Sequence, residues 1–312
     1  MFKRSLVGTV FLVALAICDT AAAKEPPYFT LHELGHNVWA AVAVPGSGAG
    51  SNSGFIVGDA GVAVVDTFQN EEAAKALLAE IRKHTDQPVR YVINTHYHLD
   101  HVTGNNVFHQ AGATILAQTN VRAWERTENL KFFGKDITPA QKNWVTRLGL
   151  PDVTYDKAID LYLGKRHLLI RSMPGHTGSD SVVVVPEADV VFTGDLFWNH
   201  TLPNTIDAST DLWIGSDDRL LAQHPTATFV AGHGEVGHAK ALRAFRDYLK
   251  TLRLDVARAR DDGKRGEALV AAVEPELKAD YGDWDWFDHF ADRNIRQTAE
   301  EFAGTKRLPG GS

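Results

Sequence analysis

Three imidazoles and a carboxylate fall within six consecutive positions, His96-Tyr97-His98-Leu99-Asp100-His101, directly after an apolar run, Val89–Ile93, that reads as a strand. One histidine in such a place is usually structural. Four ligand-type groups packed together cost desolvation and mutual repulsion unless a cation sits among them. In an extended loop successive side chains point to opposite sides. His96 and His98 are therefore expected to face one metal, and Asp100 and His101 to turn toward a second. A fold that accepts this loop must bring further ligands to it.

The rest of the chain supplies them in one recurring context. An apolar run Leu168–Met173 leads into Pro174-Gly175-His176-Thr177, Val190–Thr193 into Gly194-Asp195, and Thr228–Ala231 into Gly232-His233-Gly234. Each time a ligand-type residue follows the carboxyl end of a strand, where sites in α/β sheets collect, and glycine lets the backbone turn there. The remaining pattern is of the same class. Phe55–Val57 and Val62–Val65 flank Gly58-Asp59-Ala60-Gly61 as a hairpin, and Ala74, Leu77, Leu78 and Ile81 follow a helical period behind an Asn70 N-cap. Val182–Val185 reads as a further strand, residues 105–150 as mostly helix and loop, and the chain from Ala239 onward as helices. Strands and helices followed by strands and helices predict one α/β domain built from two similar halves.

The set His-x-His-x-Asp-His, Gly-His-Thr, Thr-Gly-Asp and Gly-His-Gly, with Val65-Asp66-Thr67 before it, resembles the metallo-β-lactamase superfamily over roughly Asn37 to His238. The resemblance implies a four-layer αβ/βα sandwich with two Zn2+ ions in a cleft at one sheet edge. It implies that His96, His98 and His176 hold the first ion and that Asp100, His101 and His233 hold the second, with Asp195 bridging both. Zinc takes imidazole nitrogen and carboxylate oxygen at about 2.0–2.2 Å. A metal pair lowers the pKa of a bridging water toward about 7 and stabilises a developing oxyanion. The expected reaction is hydrolysis of an amide, ester or thioester carbonyl by a metal-bridging hydroxide, with Asp100 as the candidate catalytic proton shuttle.

The substrate is less constrained. The Gly-His-Thr-x-x-Asp-Ser-Val-Val-Val stretch and the glycine-rich segment Gly46–Gly54 resemble true β-lactamases, and β-lactam is the leading substrate expectation. Two departures count against a lactamase, and the first is closer to the glyoxalase II and lactonase branches. Asp195 stands where many lactamases carry a Cys ligand, and Leu196–Asp218 contains no Lys or Arg to hold a drug's carboxylate. The tail Trp284-Asp285-Trp286-Phe287-Asp288-His289-Phe290 resembles that of exported relatives, including quinoprotein-associated periplasmic hydrolases; it is read first as helix packing and second as a wall of the substrate site. An iron-dependent oxidoreductase of the superfamily is a competing reading from another class, disfavoured by the intact His96/His98 pair and the complete second ligand set. A metal-binding protein without catalysis is a third.

Composition bears on location and partners. Lys3 and Arg4, the apolar run Leu6–Ile17 and Ala21-Ala22-Ala23 have the order of a signal peptide, residues 1–23, leaving residues 24–312 as the mature, periplasmic domain. Cys18 reads second as a lipoprotein cysteine, against which the bulky Ile17 speaks. It is the single Cys, so cleavage leaves no disulfide and no thiolate ligand. The formal charge of −7 argues against a nucleic-acid partner, and no stable membrane span is expected. The expected partner is a small carbonyl substrate. His32-Glu33-Leu34-Gly35-His36 matches a zincin pattern that needs a helix, but the following Val38–Val44 reads as strand and Gly35 weakens a helix. It is taken as an opening strand with surface histidines. His109, His200, His224, His238 and His289 are taken as structural. Gly46–Gly54 is taken as a flexible connection, with a mobile flap as its functional alternative.

Overall fold

The computed structural model describes residues 27–310. Residues 1–23, read as a signal peptide, lie outside the described residues. The first sheet runs β1 (Phe29–Glu33), β2 (Val38–Ala43), β3 (Ser53–Gly58), β4 (Gly61–Val65), β5 (Val89–Asn94), β6 (Thr114–Gln118) and β7 (Val153–Tyr155), paired in chain order. Its first four strands are antiparallel, and β4 through β7 are parallel. The second sheet holds β8 (Ala158–Leu163), β9 (Arg166–Ser172), β10 (Ser181–Val185), β11 (Val190–Trp198), β12 (Thr228–His233) and β13 (Gly237–His238). It is antiparallel except for β11 beside β12.

The strands have two apolar faces, so each sheet is covered twice. In β4, Ala63 and Val65 join Ile93, Ile170, Val183 and Phe192 in a core between the sheets. Val62 and Val64 face the other way, onto Ala73, Ala74, Leu77 and Ile81 of α1 (Glu71–His84). Asn70 caps α1 as expected, its side chain accepting from the Ala73 amide at 2.7 Å. Beyond the second sheet lie α6 (Thr210–Gln223), α7 (Ala239–Asp261), α8 (Gly266–Tyr281) and α9 (Phe287–Ala303), packed through Trp213, Phe245, Leu249, Val273 and Ile295. The order helix, sheet, sheet, helix is the expected αβ/βα sandwich.

Several sequence expectations need correction. Residues 105–150 contain α3 (Asn105–Gln110), α4 (Thr119–Trp124) and α5 (Pro139–Val145), but also β6, whose five residues are too few to show a period. β7 and β8 are further strands with no counterpart in the sequence reading. β11 does not stop at Thr193; it continues to Trp198 across a break in register at Gly194. Gly46–Gly54 is not a free connection. Gly46, Gly48 and Gly50 take positive φ in a loop, but Ser51, Asn52 and Ser53 are buried and Ser53 begins β3. His32 and Glu33 end β1, and Gly35 and His36 turn at φ 81° and 50°, so the zincin-like motif runs from an opening strand into a turn and forms no helix. Among the described residues no helix is long and apolar enough to cross a membrane.

Candidate metal centre

All seven expected ligands converge at the carboxyl-terminal edges of the sheets. The loop after β5 presents His96 and His98, and the short α2 (Leu99–Val102) carries Asp100 and His101. The loop after β9 brings His176. Because β11 and β12 run parallel, Asp195 at the bulge and His233 at the strand end reach the same edge. Two groups form: His96, His98, His176 and Asp195, with ligand-type atoms all within 4.8 Å of one another, and Asp100, His101 and His233 on the same criterion.

Asp195 lies between them and splits its oxygens. Its Oδ2 is 3.2 Å from His176 Nε2 and 3.7 Å from His96 Nε2. Its Oδ1 is 3.0 Å from His101 Nε2 and 3.4 Å from His233 Nε2. Asp100 Oδ2 closes the second group at 3.2 Å from His233 Nε2 and 3.6 Å from His101 Nε2. In the first group His98 Nδ1 and His176 Nε2 face each other at 2.9 Å. His96 Nε2, His101 Nε2, His233 Nε2 and Asp195 Oδ1 are buried with no hydrogen-bond partner. Buried polar atoms rarely stay unsatisfied, and these all point inward, so the donor set fits metal ions.

Electrostatics agree with that fit. Burial holds His96 well below its ordinary value and pulls His176 down to about 3, despite the Asp195 carboxylate beside both. Both are thus neutral, the form that ligates metal. Burial also opposes charge on His101 and His233, but Asp195 and Asp100 overcome it, raising His101 well above normal and His233 to about 9. The second group therefore demands positive charge, which protons or a cation can supply.

The outer ring nitrogens of His101, His96 and His98 are held from behind. His101 Nδ1 donates to Asp66 Oδ2 at 2.8 Å, and His96 Nδ1 bonds Thr95 Oγ1 at 3.1 Å. Thr95 donates its hydroxyl to the same Asp66 oxygen at 2.7 Å and its amide to Asp66 Oδ1 at 2.8 Å. One carboxylate thus orients a ligand in each group, from a backbone at φ 56° that a non-glycine residue adopts at a cost. His98 Nε2 donates to Asp207 Oδ2 at 2.9 Å. Asp207 also accepts from Tyr97 OH and, through Oδ1, from Lys131 Nζ at 2.6 Å. The His176 loop is wound around Asp180, which accepts from the amides of Gly175 and Thr177 and the Thr177 hydroxyl at 2.6–2.9 Å.

Close approaches hold the loops of the centre in place, and one of them, at Asn52, joins the halves. A Cβ on Gly232 would lie 2.0 Å from Asp195 Oδ1 and 2.8 Å from the Gly194 backbone. Asn52 donates to the carbonyls of Ala231 at 2.9 Å and Gly234 at 2.7 Å, while Ser51 Oγ donates to the Asp100 carbonyl at 2.6 Å. The glycine-rich segment therefore pins the His233 loop.

The centre opens into a cleft of about 830 Å³. Trp198 stacks on His233 at 3.9 Å, and Trp286 stands 5.5 Å from His233 and 5.6 Å from Trp198. Phe132 abuts His98 across the opening at 5.1 Å. The tail thus forms part of the wall through Trp286 and Phe290 as well as packing on the core. His200, set aside in sequence, lines the cleft; His109, His224, His238 and His289 do not. Sequence reasoning misses Asp207, Tyr97 and Lys131. Nothing periodic marks them, although an aspartate in a Lys- and Arg-free segment is a signal available in sequence.

The metallo-beta-lactamase superfamily model matches residues 46–233. Among curated proteins, the chain is similar to a metallo-beta-lactamase type 2 of Bacillus sp. (strain 170), 25% identical over 264 residues that cover 79% of this chain and 95% of that one. It is also similar to a linear primary-alkylsulfatase of Pseudomonas sp. (strain ATCC 19151), 21% identical over 254 residues, 69% of this chain and 48% of that protein, so it spans about half that relative's length. A solved metallo-beta-lactamase from Pontibacter korlensis superposes with a TM-score of 0.59 at 23% identity, covering 71% of this chain and 99% of that one.

Proposed function

Because the chain belongs to the metallo-beta-lactamase superfamily, we propose that it is a dinuclear zinc hydrolase that opens an amide or ester carbonyl. In this reading His96, His98 and His176 hold one ion, Asp100, His101 and His233 hold the other, and Asp195 gives one oxygen to each. When bound, two zinc ions supply hydroxide at neutral pH and polarise the carbonyl. The observation that carries the reading is the division of Asp195, whose Oδ2 faces His96 and His176 while Oδ1 faces His101 and His233.

The chain's own residues have separable tasks. Asp66 and Asp207 fix the tautomers of His101 and His98, leaving Nε2 and Nδ1 toward the centre. Trp198, Trp286 and Phe132 screen one reactant face from water and offer apolar area. Hydrolysis adds water across the acyl bond: its oxygen joins the carbonyl carbon, the C–O or C–N bond breaks, and one proton ends on the leaving atom. Asp100 is the group we assign to carry that proton. It lines the cleft, and its side chain is 26% exposed, so it is the carboxylate of the centre that a leaving atom can reach.

β-Lactams are the first substrates to test, since the lactamase relatives align over most of their length. Lactones and thioesters are the second reading, supported by Asp195 at the bridging position and by the want of Lys and Arg among the described residues that line the cleft. Purified chain should hold close to two zinc ions by elemental analysis and turn over a member of a β-lactam, lactone and thioester panel. One iron per chain would overturn the hydrolase reading in favour of the oxidoreductase branch. We further propose export and cleavage near Ala23, supported by the Lys3/Arg4, Leu6–Ile17, Ala21–Ala23 succession.

A further inference from the structure

We propose that the cleft selects an uncharged ester or lactone carrying an apolar or aromatic group, and discriminates against substrates bearing a carboxylate or a sulfate. This rests on the hydrolase assignment above and narrows it to the ester and lactone reading, away from β-lactams that carry a carboxylate. Among the described residues, no Lys or Arg lines the cleft. Its acidic residues are Asp100 and Asp195, committed to the centre, and Glu235 and Asp285. The last two are exposed and form no ion pair among the described residues.

Two lysines on adjoining segments, Lys131 and Lys306, are already engaged. Lys131, next to Phe132, binds Asp207 at 2.6 Å and Glu128 at 3.5 Å. Lys306 donates to the carbonyls of Thr205 and Ala208, at 2.7 and 2.5 Å. A substrate anion leaving water for this cleft would find no charged donor, and anions bury poorly without one. Where bound metal ions would draw the reacting carbonyl, a second anionic group at the rim would lie beside Glu235 and Asp285. In their place the cleft offers aromatic faces: Trp286 is 47% and Phe132 38% exposed, on either side of the centre. Large exposed apolar side chains bordering a site mark an apolar ligand.

The test compares dihydrocoumarin carboxamide with dihydrocoumarin carboxylate, a size-matched lactone pair differing in charge, on the zinc-loaded chain. The carboxamide should show a kcat/KM at least about tenfold higher. Equal rates, or a preference for the carboxylate, overturn the proposal. Glu235→Lys should lower the carboxamide-to-carboxylate ratio at least about fivefold by charge reversal; an unchanged ratio counts against it. A stable aryl γ-lactam pair, carboxamide and carboxylate, provides binding without chemistry through quenching of tryptophan fluorescence. Tighter binding of the neutral lactam without hydrolysis of either lactone supports the selectivity and counts against the lactone reading, and no turnover of the β-lactam and thioester panel as well removes the hydrolase assignment. Tighter binding of the anionic lactam removes the selectivity alone.

Discussion

Replacing Asp207 by Asn changes one atom and tests whether this carboxylate sets the metal-facing nitrogen of His98. Asp207 meets donors on both oxygens: Lys131 Nζ at 2.6 Å on Oδ1, and His98 Nε2 at 2.9 Å together with Tyr97 OH on Oδ2. An amide has one accepting end and one donating end. The introduced amide must therefore turn its NH2 either toward the Lys131 ammonium or toward His98 and Tyr97. In the second orientation His98 relieves the clash by accepting at Nε2, which moves its proton to Nδ1, the atom that faces His176. In the first, a partly buried ammonium loses its acceptor. Loss of such an orienting partner costs about 10–100-fold in metal affinity, or about 1.4–2.8 kcal/mol. Zinc affinity is read by competition with a calibrated chelator, and bound zinc by elemental analysis, alongside the thermal unfolding of the metal-free chain. Tyr97→Phe keeps the His98–Asp207 bond and should change affinity by less than about threefold. A folded Asp207→Asn chain with unchanged zinc affinity would refute the positioning role.

Gly232→Ala should reduce zinc content and activity by at least about tenfold in a folded protein, because its Cβ would sit 2.0 Å from Asp195 Oδ1; wild-type zinc content by elemental analysis would count against this. Glu301 on α9 accepts from the Thr210 amide at 3.0 Å and hydroxyl at 2.8 Å, at the start of α6, and from Arg253 at 2.9 Å. Glu301→Gln should destabilise the chain by about 1–2 kcal/mol at pH 7 in urea unfolding. Burial pushes the Glu301 carboxyl up, but the Thr210 donors hold it below its ordinary value. Its contribution is therefore present above the unfolded pKa of about 4.3 and fades as pH falls through the lower folded value, so wild type and Glu301→Gln should converge in strong acid. Removal of metal by chelation should lower the unfolding temperature, and zinc should restore it, because it leaves the inward nitrogens of His96, His101 and His233 without partners; equal melting temperatures would speak against a filled centre.

The candidate ligands are legible because four of them crowd into six positions after an apolar run, and His176, Asp195 and His233 each stand beside a glycine at the end of another, where position in sequence equals position on a sheet edge. The α1 helix is legible through Asn70 and its period of apolar residues. The tether at Asn52 is not: its partners Ala231 and Gly234 lie 179 and 182 positions away, and nothing local distinguishes a pinned serine-asparagine stretch from a loose one. Asp207 is hidden for the same reason, since its partners Tyr97, His98 and Lys131 come from the other half of the chain. β6 escapes because a five-residue strand buried on both faces has no alternation to read. Asp66 is visible as a motif, but its reach to both His96, through Thr95, and His101 is a matter of geometry alone.

The tail divides the labour of the molecule. The centre lies wholly within residues 46–233, whereas Trp286 and Phe290 come from beyond that boundary. Asn294 of α9 grips the Pro203 carbonyl at 2.9 Å and Thr205 at 2.8 Å, on the approach to Asp207. One wall of the cleft is thereby encoded outside the stretch that carries the centre, while Phe132 and Trp198 on its other sides lie within it. That wall can change by drift in the last helix and the turn before it while the candidate ligands are inherited unchanged, and grafting residues 284–290 between relatives is the corresponding route to redesign.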